Sequence, residues 1–200
     1  MKIKVCGMKI PENIEKLSKL DIDFMGFIFY QKSKRYTDKV PVKITENVKK
    51  VGVFVNEDLG ILTKIVKENS LQYVQLHGNE TIEYCKKVSQ KNIKIIKAFS
   101  VDDNFDFNIT CRYQTFCDYF VFDTKGKNYG GNGIKFNWEI LENYKGETPF
   151  LLSGGISSKD LDAIKKYNHK RFAGIDINSG FEIEPGNKNI LEIENFITKL

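Results

Sequence analysis

The sequence predicts an α/β chain closed into a (β/α)8 barrel, and three observations carry that prediction. Short β-rich runs recur through all 200 residues, at intervals of about 20 to 30 residues that match one βα unit each. Eight such runs can be placed, more than an open sheet of this length usually holds. Several are near-continuous apolar stretches, which suit parallel strands covered on both faces. The rival architecture is a doubly wound open sheet, and no lone strand–loop–helix with glycines separates the two. Hydrophobic residues make up 41%, enough for one sizeable core. Residues 1–200 are therefore read as a single barrel domain.

The expected strands are 3–6, 24–30, 50–55, 73–76, 94–99, 119–122, 150–153 and 174–177. Val51-Gly52-Val53-Phe54-Val55 is the clearest of them. Helical patterns lie between. Residues 11–20 open with Pro11-Glu12 and place Ile14, Leu17 and Leu20 on one face. Residues 59–68 and 81–88 read similarly. Ser157 to Asp160 supplies a capping hydroxyl and an early acid before Leu161, Ile164 and Tyr167. Residues 187–200 are expected as a closing helix. The stretch 102–117 is poorly periodic and its boundaries stay open.

The formal charge is +5, from 31 Lys and Arg against 26 Asp and Glu. The basic residues are spread through helix-like stretches such as 43–50 and 159–171, which reads as solvated helix faces. No concentrated basic patch with interleaved aromatics exists, so no nucleic-acid partner is expected. Mild positive charge would still attract a small anion. No apolar run approaches the roughly 18 residues of a membrane span. Met1-Lys2-Ile3-Lys4-Val5 enters the first run directly, and Cys6, Cys85, Cys111 and Cys117 are irregularly spaced. Reduced thiols in a cytoplasmic protein fit best. With His77 and His169 far apart in the chain, a His-rich metal site is not expected.

In a barrel, chemistry sits where strands end and βα loops begin. Gly154-Gly155 before a helix start and Ser179-Gly180 after the next strand can offer backbone N–H groups to a phosphate; tight turns alone would also explain them. Cys6, at the first strand's end beside Gly7, is either a buried packing thiol or an exposed, activated one. Asp123 directly follows an apolar run and should face the mouth, unless it caps a loop or pairs with Lys125. One thiol, one carboxyl and a phosphate cradle suit proton transfer on a sugar phosphate. Asp176 can accept from a sugar hydroxyl or serve as a partner to a neighbouring strand. Arg35 can grip a substrate carboxylate or sit in water. His77 reads as a structural hydrogen-bonder that can support the site. The glycine-rich stretch 126–133 reads as a mobile lid or a solvent loop.

Taken in order, Lys4-Val5-Cys6-Gly7, Gly26-Phe27-Ile28-Phe29-Tyr30, Lys32-Ser33 with Arg35-Tyr36, Val74-Gln75-Leu76-His77-Gly78, Phe122-Asp123-Thr124, Leu152-Ser153-Gly154-Gly155-Ile156 and the segment from Gly174 to Glu182 cover essentially the whole chain. Together they resemble the phosphoribosylanthranilate isomerases of tryptophan biosynthesis. The resemblance implies an Amadori rearrangement of a phosphosugar–anthranilate substrate with no cofactor or metal, in a monomer or homodimer. It implies that Asp123 protonates the furanose ring oxygen and that Cys6 removes the C2′ proton. The carboxyl's pKa should then be raised and the thiol's lowered. The chain departs from the family pattern at Lys9, Asn13, Gln31, Lys34 and Asn132. The related isomerase of histidine biosynthesis resembles a duplicated half-barrel with Asp at the first strand end; Cys6 and the shorter chain argue against it. A non-catalytic phospho-ligand barrel would not need both proton-transfer candidates.

Overall fold

The computed structural model of the chain describes residues 1–40, 44–126 and 136–200. Eight parallel strands close on themselves in sequence order: β1 (Lys2–Val5), β2 (Phe24–Ile28), β3 (Lys49–Phe54), β4 (Tyr73–Leu76), β5 (Lys94–Val101), β6 (Tyr119–Thr124), β7 (Phe150–Leu152) and β8 (Phe172–Ile177). The closing pair is β1 with β8, in the register Lys4 opposite Asp176 and Val5 opposite Ile177. That pairing excludes the open sheet. Strand ends differ from the sequence reading by at most two residues, and one difference matters: Asp123 lies within β6, not after it.

Alternation along each strand divides the side chains between two cores. Phe120 and Phe122 point outward into the large layer between sheet and helices, while Val121 belongs to a smaller cluster inside the barrel with Phe24, Val51, Ile96, Ala98 and Leu151. Tyr73 and Tyr119 pack against this inner cluster. The same inward rows continue upward to Gln75 and His77 on β4 and to Asp123 on β6. The barrel interior is thus aromatic and aliphatic below and polar above, which fixes the reactive end at the C-terminal mouth.

The outer layer comprises α1 (Pro11–Leu17), α2 (Leu59–Asn69), α3 (Ile82–Ser89), α4 (Asn108–Cys111), α5 (Leu161–Lys166) and α6 (Ile190–Lys199). Capping follows the sequence where expected: the Asp58 side chain accepts from Gly60 and Ile61 N–H, and the Thr81 side chain from Tyr84 N–H. Asp160 Oδ2 accepts from Ser157 N at 2.8 Å, but the first turn there is a 3₁₀ turn, Ser158–Asp160.

Two expectations are corrected, and the stretch left open is filled in. Residues 43–50 are not helical: Lys43 lies outside the described residues, 44–48 are turn and extended chain, and Lys49 begins β3, continuous with the Val51–Val55 run. The stretch 102–117 holds just the one short helix α4; Phe105 and Phe107 instead cover the sheet by edge-on contacts with Phe99 and Phe122. Residues 187–200 are not one helix. Asn187–Lys188 (β10) pairs antiparallel with Glu182–Glu184 (β9) around Pro185-Gly186, with Gly186 at φ +91°. Pro followed by a positive-φ Gly is the sequence chemistry of a type II turn.

Candidate active site

The strand ends surround a cavity of about 520 Å³ lined by Cys6, Arg35, His77, Asp123, Asp176 and the segments Gly154-Gly155 and Ser179-Gly180. Every site residue expected from sequence therefore lines one space. Of the expected lid, Gly130, Gly131, Asn132 and Gly133 lie outside the described residues.

Cys6 follows β1 and its sulfur packs on Gly26, where an added Cβ would stand 2.7 Å from Sγ. It is 5% exposed, and burial pushes its thiol pKa up, with the Lys4 ammonium pulling against that rise, Asp176 adding to it and Lys188 drawing it down. The lowered thiol pKa implied by the resemblance is thus corrected: desolvation outweighs the nearby cations. Lys4 lies directly below, fully buried, and donates to both Asp176 oxygens at 2.9 Å. Burial alone would discharge this lysine, but Asp176 and Cys6 together hold it in the charged form. Both oxygens of Asp176 are thus engaged by a neighbouring strand, as the structural alternative for this residue required.

Asp123 lines the same cavity from β6, at 6% exposure. Its Oδ1 accepts from Thr124 N–H at 2.9 Å, and its Oδ2 lies 3.3 Å from His77 Nε2. Gln75 Nε2 is 2.9 Å from His77 Nδ1. Nε2 is the ring nitrogen turned toward Asp123. The 3.3 Å approach is out of line for a hydrogen bond, so His77 Nε2 and Gln75 Oε1 are buried without a partner among the described residues. His77 is thus brought beside Asp123.

The glycine-rich end of the cavity is made of backbone. Gly154 and Gly155 adopt φ of +94° and +63°. At Gly180 an added Cβ would stand 2.0 Å from Ile156 O, so the loops after β7 and β8 meet at a distance no side chain permits. The helix behind contributes less than expected, since it begins as a 3₁₀ turn whose Asp160 already occupies its amino end.

Arg35 was expected well away from the loops after β7 and β8. It instead reaches over the end of β1 to the segment after β8: Nε donates to Glu182 Oε1 at 2.8 Å and Nη2 to Oε2 at 2.6 Å. Lys188, with its side chain fully buried, donates to the same carboxylate at 2.7 Å and to Asn178 Oδ1 at 2.6 Å. Burial favours the protonated form of Glu182, but Arg35, Lys188 and Gly186 N–H overcome it and hold the pKa down to about 2. Burial lowers Lys188 to about 8 despite Glu182. Asn13 locks the lysine's backbone, donating to Lys188 O at 2.8 Å and accepting from its N–H at 2.9 Å. Sequence reasoning missed Lys188 and gave Glu182 no role. The Pro185-Gly186 turn was the available signal, since it predicts a hairpin that returns residue 188 to residue 182.

Fold and cavity together define a (β/α)8-barrel enzyme whose mouth carries a thiol, a carboxyl and two differently built polar ends. A profile of the family described as N-(5'phosphoribosyl)anthranilate (PRA) isomerase matches residues 3–199. The N-(5'-phosphoribosyl)anthranilate isomerase of Parabacteroides distasonis is 48% identical, with 100% of this chain and 93% of that protein covered. The chain belongs to the N-(5'-phosphoribosyl)anthranilate isomerase family. It is also similar to the crystal structure of the Thermotoga maritima phosphoribosyl anthranilate isomerase, with a TM-score of 0.86, 33% identity, and coverage of 100% of this chain and 98% of that one. A second similar structure is a phosphoribosyl anthranilate isomerase in complex with reduced 1-(o-carboxyphenylamino)-1-deoxyribulose 5-phosphate, with a TM-score of 0.83, 30% identity, and coverage of 100% and 97%.

Proposed function

We propose that Asp123 is the general acid and Cys6 the general base of the isomerisation this family carries out, the Amadori rearrangement of N-(5-phosphoribosyl)anthranilate to 1-(2-carboxyphenylamino)-1-deoxyribulose 5-phosphate in tryptophan biosynthesis. The observation that carries the reading is the placement of both groups in the lining of one cavity that also holds Arg35 and the glycine-lined loops. The phosphate goes to the backbone of Gly154, Gly155, Ser179 and Gly180. The anthranilate carboxylate goes to Arg35. Arg35 crosses the end of β1 beside Gly7, the residue after Cys6, so a ligand held by Arg35 carries its ribose past the thiol.

Asp123 gives its proton to the furanose ring oxygen, which opens the ring to a protonated imine. That new cation beside Cys6 offsets the desolvation that holds the thiol up; the thiol gives its own proton to solvent, and the thiolate takes the C2′ proton to give the enolamine, which loses its enol proton and gains one at C1′ to become the ketone. The imine is itself the electron sink, so the chemistry calls for no metal or cofactor. The enzyme acts as one domain over residues 1–200, in the cytoplasm, as a monomer or homodimer. Among the described residues no helix is long and apolar enough to cross a membrane.

Asp123→Asn tests the acid. It keeps the size but has no carboxyl proton to give. Turnover followed by loss of substrate fluorescence should show kcat collapsing with KM little changed. A variant that keeps kcat and raises KM makes Asp123 a binding residue.

A further inference from the structure

We propose that Glu182 and Lys188 form the positioning device of Arg35, in which Glu182 holds one edge of the guanidinium, leaving its terminal edge for a planar carboxylate, and Lys188 neutralises Glu182 so that the arginine keeps its charge for the ligand. The proposal rests on Arg35 being the carboxylate ligand and assigns how that ligand is aimed.

Glu182 takes the Nε and Nη2 donors of Arg35. Among the described residues Glu182 alone hydrogen-bonds the guanidinium, and the edge formed by the two terminal nitrogens is the second edge able to meet a carboxylate with paired N–H groups. The arginine is held there from the other side as well. An added Cβ on Gly7 would lie 2.6 Å from Arg35 Cδ and 2.8 Å from Asn178 Oδ1, so the φ +75° glycine beside Cys6 makes room for the side chain to cross β1. Glu182 is 5% exposed at its side chain and Arg35 13%. A guanidinium this enclosed has few other rotamers.

Charge counting explains the lysine. Arg35 and Glu182 alone cancel, leaving a neutral pair with little attraction for an anion. Lys188, tied to Glu182 and Asn178 and pinned by Asn13, restores one net positive charge at this end of the cavity. Two buried cations on one buried anion are a poor way to stabilise a fold, since removing charges from water offsets most of their attraction. The arrangement makes sense as preorganisation for an incoming carboxylate.

The test uses two ligands titrated by calorimetry into the full-length protein: the reduced product analogue bearing the 2-carboxyphenyl group, and the same compound with a plain phenyl group. The ratio of their affinities measures carboxylate recognition, and a general structural defect does not move it. Glu182→Gln should lower that ratio about tenfold, the scale of a weakened charge-assisted contact, with the phenyl compound's affinity unchanged. In an Arg35→Met background, Glu182→Gln should change nothing further. Should Glu182→Gln fail to fold with Lys188 left unpaired, E182Q/K188M removes charge and counter-charge together, and the same fall in the ratio is expected. If Arg35→Met abolishes the ratio while the Glu182 variants retain it, the positioning role is overturned and the reading of Arg35 stands. If the Glu182 variants weaken both ligands equally, the role is structural and the proposal fails. If Arg35→Met itself leaves the ratio intact, the assignment of Arg35 falls and takes this proposal with it.

Discussion

The two ends of the cavity, each assigned an anion in the function proposed above, are built by different means. After β7 and β8 the walls are glycine backbone, with conformations set by the chain itself and loops too close for a Cβ. Across the end of β1 the wall is a side-chain network in which Arg35, from the loop after β2, and Glu182 and Lys188, from the segment after β8, fix one another. A phosphate is near-spherical and accepts from many directions, so N–H groups on a rigid turn suffice. A carboxylate is planar and is best met by an oriented fork. The backbone end should therefore be inseparable from folding, whereas the side-chain end should be separable from it.

Gly180→Ala gives the largest expected effect. Its Cβ would meet Ile156 O at 2.0 Å, and backbone cannot move aside as a side-chain tip can. A loss of about 3 kcal/mol or more is expected, seen as a lowered midpoint in thermal denaturation together with loss of phosphate inhibition. A stable Gly180→Ala protein that still binds phosphate would break the comparison.

Next is the pH dependence written into Lys188. Its pKa is about 8 in the folded chain, against an ordinary 10.5. Between those values the unfolded chain holds the extra proton, so stability rises with pH across that window. The full gain is on the order of 3 kcal/mol. Denaturant titrations at the two ends of the window should show this rise in the wild type and its absence in Lys188→Met. Equal pH slopes in the two proteins would mean that the buried lysine is not held near neutrality.

Arg35→Met should weaken the carboxylate-bearing product analogue by roughly 1.5–3 kcal/mol and leave inorganic phosphate untouched. Calorimetry with both ligands decides it, and equal losses would mean that the ends are not independent. The smallest effects belong to the remaining thiols. Cys85 and Cys117 are buried away from the cavity lining and Cys111 is exposed. Their Ser or Ala variants should turn over much as wild type does in the fluorescence assay.

This contrast also marks what a sequence can disclose. The strands were legible because a parallel strand buried on both faces is a local apolar run, as Val51 to Val55 shows. The backbone end was legible for the same reason: Gly154-Gly155 and Ser179-Gly180 announce their conformations in adjacent letters. Cys6 and Asp123 could be placed at strand ends, although the rise of the thiol's pKa depends on burial that no motif records. The side-chain end was not legible. Arg35 and Glu182 stand 147 positions apart, and they meet because β8 closes the barrel on β1. Lys188 was hidden by a helical pattern that ran on into 187–200; the Pro185-Gly186 turn before it was the more informative signal. The segment 43–50 erred the other way, its charges masking the start of β3.

The most direct test of the central claim, that acid and base work between these two ends, is Cys6→Ala in the fluorescence assay with substrate. Removal of the base should lower kcat by about 10²–10⁴, while calorimetry with the carboxylate-bearing product analogue shows affinity close to wild type, because neither end has been touched. Near-normal turnover in the purified variant would contradict the account and leave Cys6 a packing thiol.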